Sequence, residues 1–347
     1  MDRKLFILIG IFTALSANAL DLKQYYASLE GKSGQELINA IMAVTKDHTV
    51  LSYSSVWANK SGADYTPQGY IWDMYSDCKF NGNDHCSGTQ FTDCQCYNRE
   101  HSLPKSWWGS SESEPMYTDL HHLIPTDGKA NSQRAAYAFD DVKSESWSNS
   151  AGAKLGKGLH IQSTVFEVPD DYKGDIARIY FYMLCCYNNK NFTLGGSGSQ
   201  CFTYTSGRAG FTTNAAKIFV LWADNDPLSD KEIKRNNTVY NRQGNRNPFV
   251  DLPDLYQYLW GNKKNQKYHV VTDIENHTEE YKYTAHVEGQ TLTVNSMTED
   301  VLSVYDMLGR VVYMNTIGVQ SVQIELPQSG VYLIRVGNQA LKIRTAN

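Results

Sequence analysis

The amino-acid sequence changes character near residue 266, and this change constrains the fold most strongly. Beyond it, short runs rich in β-branched and aromatic residues alternate with Gly, Asp and Pro turn signals; the runs cover residues 291–294, 302–305, 322–326 and 331–336. This spacing predicts a small all-β sandwich over residues 285–347, after a polar linker at 266–284. A chain of 347 residues also exceeds what one hydrophobic core usually covers, so two domains are expected.

The preceding part, residues 20–265, shows helical periodicity in two places. Between residues 20 and 46, apolar side chains recur at helical spacing around a glycine-containing break at 31–34. A second helix is expected from Gly174, because the residues after it keep one face apolar. Residues 51–73 are rich in aromatic and turn residues, which indicates short strands and loops. We therefore expect an α+β main domain ahead of the β-sandwich.

The first 19 residues have the pattern of a secretory signal peptide. Residues 2–4 carry positive charge, residues 5–16 form a short apolar run, and residues 17–19 are small or polar, which predicts a mature start at Leu20. About a dozen apolar residues cannot span the roughly 30 Å hydrocarbon core as a helix, and no later segment approaches about 20 such residues. We therefore expect an exported protein with no transmembrane segment.

Seven cysteines fit an oxidising destination. They are Cys78, Cys86, Cys94, Cys96, Cys185, Cys186 and Cys201. Their spacings lack the paired CxxC pattern of a zinc site, so disulfide bonds are expected, with connectivity left open. The odd number leaves at least one thiol unpaired in the monomer that we expect.

Net charge is −5, which by itself argues against a polyanionic partner. The distribution of charge matters more than its total. Seven Lys or Arg residues face three acidic residues between Lys231 and Lys264. The basic residues are Lys231, Lys234, Arg235, Arg242, Arg246, Lys263 and Lys264. This local excess indicates a face that could contact a phosphate backbone.

Acid, base, amide and guanidinium groups are concentrated in three neighbouring segments, which are residues 97–104, 119–125 and 127–134. Hydrolysis of a phosphodiester needs a base for the water proton and positive charge for the phosphorane-like state. Histidine can act as that base, whereas Glu and Asn supply hard oxygen ligands suited to Mg²⁺. A single Glu-His pair is more often a solvated turn, and adjacent histidines can be one core residue beside a surface one; only the combination indicates catalysis.

Four segments resemble the bacterial endonuclease I family. Residues 98–107 are similar to its NREHxxPxSW segment, and residues 119–131 to its DLHNLxPxxGxxN segment. Residues 174–178 and 243–249 match its GDIAR and QGNRNPF segments. The resemblance extends, in order, over about residues 20 to 265.

The resemblance implies a mixed domain with a ββα-metal (His-Me finger) core. It implies His101 as general base, Glu100 and Asn131 as Mg²⁺ ligands, and His121 as a supporting residue of the core. Mn²⁺ or Ca²⁺ are expected substitutes for Mg²⁺. Phosphates would be held by arginines, namely Arg178, Arg242 and Arg246. The expected activity is cleavage of DNA, with RNA as a second substrate, without sequence preference.

The chain also departs from the family pattern. His122 stands where the family commonly has Asn, and residues 134–142 differ from the usual RSNYPFGEV segment. The connection from His101 to Asp119 contains no arginine for the transition state, so this role falls to Arg134 or to another arginine. The alternative is a nuclease-derived nucleic-acid-binding protein with reduced or no catalysis.

The tail has a resemblance of its own. Residues 304–312, 326–332 and 342–343 are similar to the C-terminal sorting domain of the type IX secretion system. That likeness implies the type IX machinery as a partner. It further implies export through the periplasm, with the product secreted or attached to the outer cell surface.

Overall fold

The computed structural model describes residues 20–88, 91–270, 283–296, 299–306, 310–336 and 339–345. It divides the chain into two compact units, Met1–Val271 and Thr272–Asn347. The division falls inside the segment predicted as a linker, residues 266–284. The predicted signal peptide, residues 1–19, lies outside the described residues.

Helices and small sheets mix in the first unit, as the predicted α+β class requires. Its helices are α1 (Leu22–Tyr25), α2 (Gly34–Thr45), α3 (Ala58–Ser61), α4 (Gly128–Arg134), α5 (Lys173–Cys186), α6 (Gly198–Cys201), α7 (Thr213–Asn225), α8 (Asp230–Gln243), α9 (Pro248–Asp251) and α10 (Leu255–Leu259). Its strands are β1 (Tyr97–His101), β2 (Leu123–Asp127), β3 (Ala138–Phe139), β4 (Val142–Ser148), β5 (Lys154–Gly158), β6 (Thr164–Glu167), β7 (Phe202–Thr205) and β8 (Arg208–Phe211). The strands form the sheets β1-β2, β3-β6-β5-β4 and β7-β8.

Both predicted helical regions are helical, and one of them forms the centre of the core. The first contains α1 and α2, separated by a break at which Gly31 and Gly34 have positive φ angles of 69° and 50°. The second is α5, which is buried from Gly174 to Cys186. A helix that is buried on nearly all sides has to be surrounded by other elements, so α5 is the element against which the first unit packs.

The strands predicted within residues 51–73 are wrong. This segment forms α3 and turns, with one isolated bridge between Tyr65 and Ile71. Its apolar side chains do not pair along a strand ladder: Trp57 and Ile71 join a small cluster with Phe80 and Tyr97. Aromatic content therefore misled the strand prediction here.

Two disulfide bonds cross-link the chain just before β1. They join Cys78 to Cys94 and Cys86 to Cys96. The prediction of disulfides is confirmed, and the three remaining thiols, which lie on α5 and α6, are buried and free. The second bond fixes the residue directly before β1, where the candidate site residues begin.

The second unit is all β, as predicted. Its strands are β9 (Tyr283–Glu288), β10 (Thr291–Ser296), β11 (Asp300–Asp306), β12 (Val311–Ile317), β13 (Ser321–Glu325), β14 (Val331–Val336) and β15 (Gln339–Arg344). They form two antiparallel sheets, ordered β13-β10-β9 and β12-β11-β14-β15, that share one apolar core. Within the parts of the chain that the structure describes, no helix is both long enough and apolar enough to cross a membrane.

Candidate active site

The hairpin of β1 and β2, followed directly by α4, brings three predicted residues into one cleft. Antiparallel pairing sets Glu100 opposite Ile124 and His101 opposite Leu123. Asp127 ends β2 and caps α4 by accepting a hydrogen bond from the amide of Ala130. As a result Glu100, His101 and Asn131 all line a cleft of about 540 Å³.

The His101 ring is held in one orientation and one tautomer. Its Nε2 lies 2.9 Å from the carbonyl oxygen of Tyr117, whose ring also stacks on the imidazole at 5.3 Å between centroids. Burial, with His122 nearby, lowers the pKa of His101 to about 3, so the imidazole is neutral. Because a carbonyl only accepts, Nε2 carries the proton and Nδ1 keeps its lone pair, as a general base requires.

The Glu100 carboxylate is buried beside a cation. Its Oε1 accepts a hydrogen bond of 3.1 Å from the Tyr75 hydroxyl and lies 3.3 Å from Nε of Arg134. Burial raises the pKa of Glu100 to about 7, although Arg134 opposes that shift. A buried carboxylate with incomplete neutralisation is a group that would favour a further cation.

The structure places Arg134 beneath the cleft and not on its open side. Its side chain is fully buried, and it donates to the carbonyl oxygens of His101, Ser102 and Ala135 and to the Tyr180 hydroxyl. A guanidinium enclosed in this way does not reach a phosphate in the cleft. The expectation that Arg134 stabilises the transition state is corrected on this ground; Arg134 positions Glu100 and the end of β1.

His121 lies in the core and outside the cleft. Its Nε2 is 3.3 Å from the carbonyl oxygen of Asn245, and its ring packs 4.5 Å from that of Tyr182. Its backbone amide donates to Asp119, which also accepts from the hydroxyls of Tyr182 and Tyr187. The contacts of His121 are those of a residue that supports the fold around the hairpin.

Two arginines predicted to hold phosphates are instead engaged in buried ion pairs. Arg178 donates from Nε and Nη2 to Glu232, at 2.5 and 2.9 Å. Arg246 donates in the same two-pronged way to Asp251, at 2.6 and 2.7 Å. Their prediction as phosphate ligands is corrected, because each guanidinium fork already binds a carboxylate. Arg242 is exposed at the end of α8.

Part of the basic stretch between Lys231 and Lys264 is engaged in buried ion pairs. Lys231 pairs with Asp175 at 2.6 Å, and Arg235 pairs with Asp64 at 2.7 Å. Both acidic partners lie far away in the sequence, which is why a local charge count missed them. These cations stabilise the first unit, whereas Lys234, Arg242 and Lys264 are exposed, so the expected excess of positive charge is reduced and not abolished.

Sequence reasoning also missed residues that line the cleft. Arg99, Lys105, Tyr53 and Tyr117 are part of its wall. Arg99 was already part of the quoted motif, and alternation along β1 places it on the same face as His101. That alternation could have identified Arg99 as a residue of the cleft. Tyr53 comes from a loop that is distant in sequence, so no local pattern could have identified it.

Comparison with known proteins identifies relatives of this chain. The sequence model of the endonuclease I family matches residues 33–254. The extracellular ribonuclease of Bacillus subtilis (strain 168) is 31% identical over 259 residues, covering 72% of this chain and 84% of that protein. The periplasmic deoxyribonuclease of Aeromonas hydrophila is 28% identical over 146 residues, covering 41% of this chain and 51% of its own.

A third relative, endonuclease-1 of Buchnera aphidicola subsp. Baizongia pistaciae (strain Bp), is 25% identical over 167 residues, covering 44% of this chain and 60% of its own. The family match includes β1, β2 and α4, and therefore the whole cleft hairpin. The resemblance predicted from the motifs is confirmed: this chain belongs to the endonuclease I family.

Proposed function

We propose that the protein is an exported, Mg²⁺-dependent endonuclease that hydrolyses phosphodiester bonds in DNA and RNA without sequence preference. One observation carries the proposal: a neutral His101, with its Nδ1 lone pair free, shares a cleft with Glu100 and Asn131. Family membership supports it, as do relatives named as an extracellular ribonuclease and a periplasmic deoxyribonuclease. These relatives also support export.

Glu100 and Asn131 fit a single Mg²⁺ ion. Both are oxygen donors in the same cleft, and the buried carboxylate of Glu100 has a pKa raised to about 7, so a divalent cation would offset its desolvation. Two protein ligands leave room for the waters that Mg²⁺ retains. When bound, the ion would stabilise negative charge on the phosphate and on the leaving oxygen. The hairpin with α4 would then be the ββα-metal core that the family resemblance implies.

The residues of this chain have separate parts in hydrolysis. Nδ1 of His101 takes a proton from water as the water oxygen forms a bond to phosphorus and the opposite P–O bond breaks. The carbonyl of Tyr117 holds the His101 ring throughout, since it accepts from Nε2. Arg134 fixes the carboxylate of Glu100 from below, and a solvent proton completes the leaving alcohol.

The test uses purified residues 20–347 with supercoiled plasmid and with RNA, each incubated with Mg²⁺ or with EDTA. We expect nicking and RNA cleavage that require the metal and that show no fixed cut sites. Binding without metal-dependent cleavage of either substrate would contradict the proposal and support the alternative, a nuclease-derived binding protein.

We further propose that the second unit is a sorting domain read by type IX secretion machinery and that the nuclease is a monomer. The sequence resemblance in the tail supports the first statement. The separate apolar core of the second unit supports it as well, because a detachable signal has to fold without the catalytic unit.

A further inference from the structure

The guanidinium of Arg99 lies between two aromatic rings at the wall of the cleft. Its central carbon is 3.5 Å from the centroid of Tyr53 and 3.8 Å from that of Trp57. Two rings this close to one planar group occupy its opposite faces, so they fix the plane of the guanidinium. His85 stacks on Trp57 at 4.3 Å, and Tyr53 stacks on Tyr117 at 4.6 Å, which extends the clamp on both sides.

The hydrogen-bond donors of Arg99 are only partly used. Nη1 donates to the carbonyl oxygen of Tyr53. Nε is buried without an acceptor, and no carboxylate among the described residues pairs with this side chain. Burial also lowers the pKa of Arg99, although such a group stays protonated at neutral pH. Leaving a buried donor unpaired is costly, and the carbonyl oxygen of Tyr53 is the one acceptor that the described residues supply to this guanidinium.

The contrast with the other buried arginines sharpens this point. Arg178, Arg235 and Arg246 each donate to a carboxylate, and Arg134 lies beside Glu100. Arg99 instead has aromatic faces, which hold the cation in place without neutralising it. Its position in β1 sets its side chain on the face of the general base His101, about 7 Å along the strand. Both side chains line the same cleft.

We propose that Arg99 is the catalytic arginine of this enzyme, whose clamped fork binds a non-bridging oxygen of the scissile phosphate. The inference rests on the proposed nuclease function and assigns the role that neither Arg134 nor the His101–Asp119 connection fills. A guanidinium donor in the cleft matches a non-bridging phosphate oxygen, on which negative charge grows as water attacks. The rings of Tyr53 and Trp57 hold the Arg99 side chain in place although no carboxylate among the described residues pairs with it.

The test compares Arg99→Ala and Arg99→Lys with the matched surface variants Arg208→Ala and Arg208→Lys in the full chain. Plasmid nicking with Mg²⁺ gives the rate, and anisotropy of a labelled duplex in EDTA gives the salt dependence of binding without metal. We expect Arg99→Ala to nick about 100-fold more slowly or worse, and Arg99→Lys to lose at least about tenfold because lysine lacks the fork. Millimolar guanidinium should restore part of the Arg99→Ala rate.

Binding supplies a readout that a purely structural arginine would not change. Loss of one phosphate contact should make the slope of log affinity against log salt shallower by about one in Arg99→Ala. A rate within threefold of wild type, or a slow variant with an unchanged slope and no guanidinium rescue, would overturn the assignment. If Arg99→Ala does not unfold cooperatively in a thermal melt, it is misfolded, and the rate and salt slope of Arg99→Lys then test the assignment. An inactive wild-type protein would instead refute the nuclease function, and the slope in EDTA would still test Arg99.

Discussion

Nε of Arg134 lies 3.3 Å from Oε1 of Glu100, and both side chains are at most 5% exposed. This pair joins the strand that carries the proposed base to the helix that carries Asn131. Removing one member of a buried ion pair is far more costly than replacing both, because it leaves an uncompensated charge. The contact therefore links the stability of the first unit to the proposed metal ligand.

Arg134→Met should destabilise the first unit by about 3–5 kcal/mol, because Glu100 is left buried without its cation. Urea unfolding followed by circular dichroism measures the loss. The double variant Glu100→Gln/Arg134→Met should recover part of it, and the exposed Arg208→Met should change little. If Arg134→Met lowers the free energy of unfolding by less than about 1 kcal/mol, the ion pair does not stabilise the first unit beyond what packing supplies.

His101→Ala should slow plasmid nicking by about 10² to 10⁴-fold, since a positioned base is worth that much. Affinity for a duplex in EDTA should stay near wild type, because a neutral imidazole adds no charge. His269→Ala, at an exposed histidine outside the cleft, serves as the matched control. A His101→Ala rate above about a tenth of wild type means that another group takes the water proton.

Asn131→Ala and Glu100→Gln should each raise the Mg²⁺ concentration needed for half-maximal activity. Each change removes or weakens one of the two oxygen ligands proposed for an ion that keeps most of its waters. Titration of nicking rate with Mg²⁺ measures the shift, with the exposed Glu145→Gln as control. A variant with unchanged Mg²⁺ dependence places its residue outside the metal site.

Sequence patterns predicted the features that depend on residues close together in the chain. Helical periodicity predicted α2 and α5, and short β-rich runs predicted the strands of the tail, because burial of one face sets these repeats. The motifs also predicted one site containing Glu100, His101 and Asn131, and these three residues line one cleft. These residues sit on adjacent elements of one hairpin and helix, so the chain has little freedom between them.

The features that the sequence did not predict depend on contacts between residues far apart in the chain. The partners of Arg178 and Arg235 are 54 and 171 residues away in the sequence, so their capture by Glu232 and Asp64 leaves no local trace. The same holds for the aromatic clamp, since Tyr53 comes from a loop that the sequence marked only as turns and strands. A local count of basic residues therefore overstated the positive charge that is free to meet a phosphate.

His122→Asn should flatten the rise of unfolding free energy with pH between about pH 4 and 6.5. Burial lowers the pKa of His122 to about 4, so in this window the unfolded chain takes up a proton that the folded chain does not. That uptake destabilises the fold as pH falls, by about 1.4 kcal/mol per pH unit for one histidine. Asparagine does not titrate in this range. Its shorter side chain gives up the 2.6 Å hydrogen bond that Nε2 of His122 donates to the Met116 carbonyl oxygen, which lowers stability at every pH and leaves the change in slope to titration.

Urea midpoints of both proteins at several pH values give the two slopes. Their difference isolates His122 from other buried groups that titrate in the same range, among them Glu100 and Asp73, whose pKa values are raised. Equal slopes would show that His122 is protonated in the folded protein.

The last prediction concerns where the catalytic unit ends. Tyr268 is 2% exposed in the main core, and its backbone pairs with Gly31 and Lys32. A chain cut at residue 266 would therefore lose part of the first unit, whereas one cut after Val271 keeps it whole. We expect residues 20–271 to keep full nuclease activity in vitro and residues 20–266 to unfold more easily, as thermal melts and nicking rates will show.

The second unit carries nine acidic residues against five Lys or Arg between Asp273 and Asn347, so it would repel a nucleic-acid backbone and adds nothing to substrate binding. Its expected role is export. In the native cell a chain ending at Val271 should accumulate in the periplasm, and intact-mass measurement of the exported full-length product should show a start near Leu20 and loss of the tail. If the tail persists on the exported protein, or if its removal lowers activity more than about tenfold, the tail is a substrate clamp and the sorting assignment is wrong.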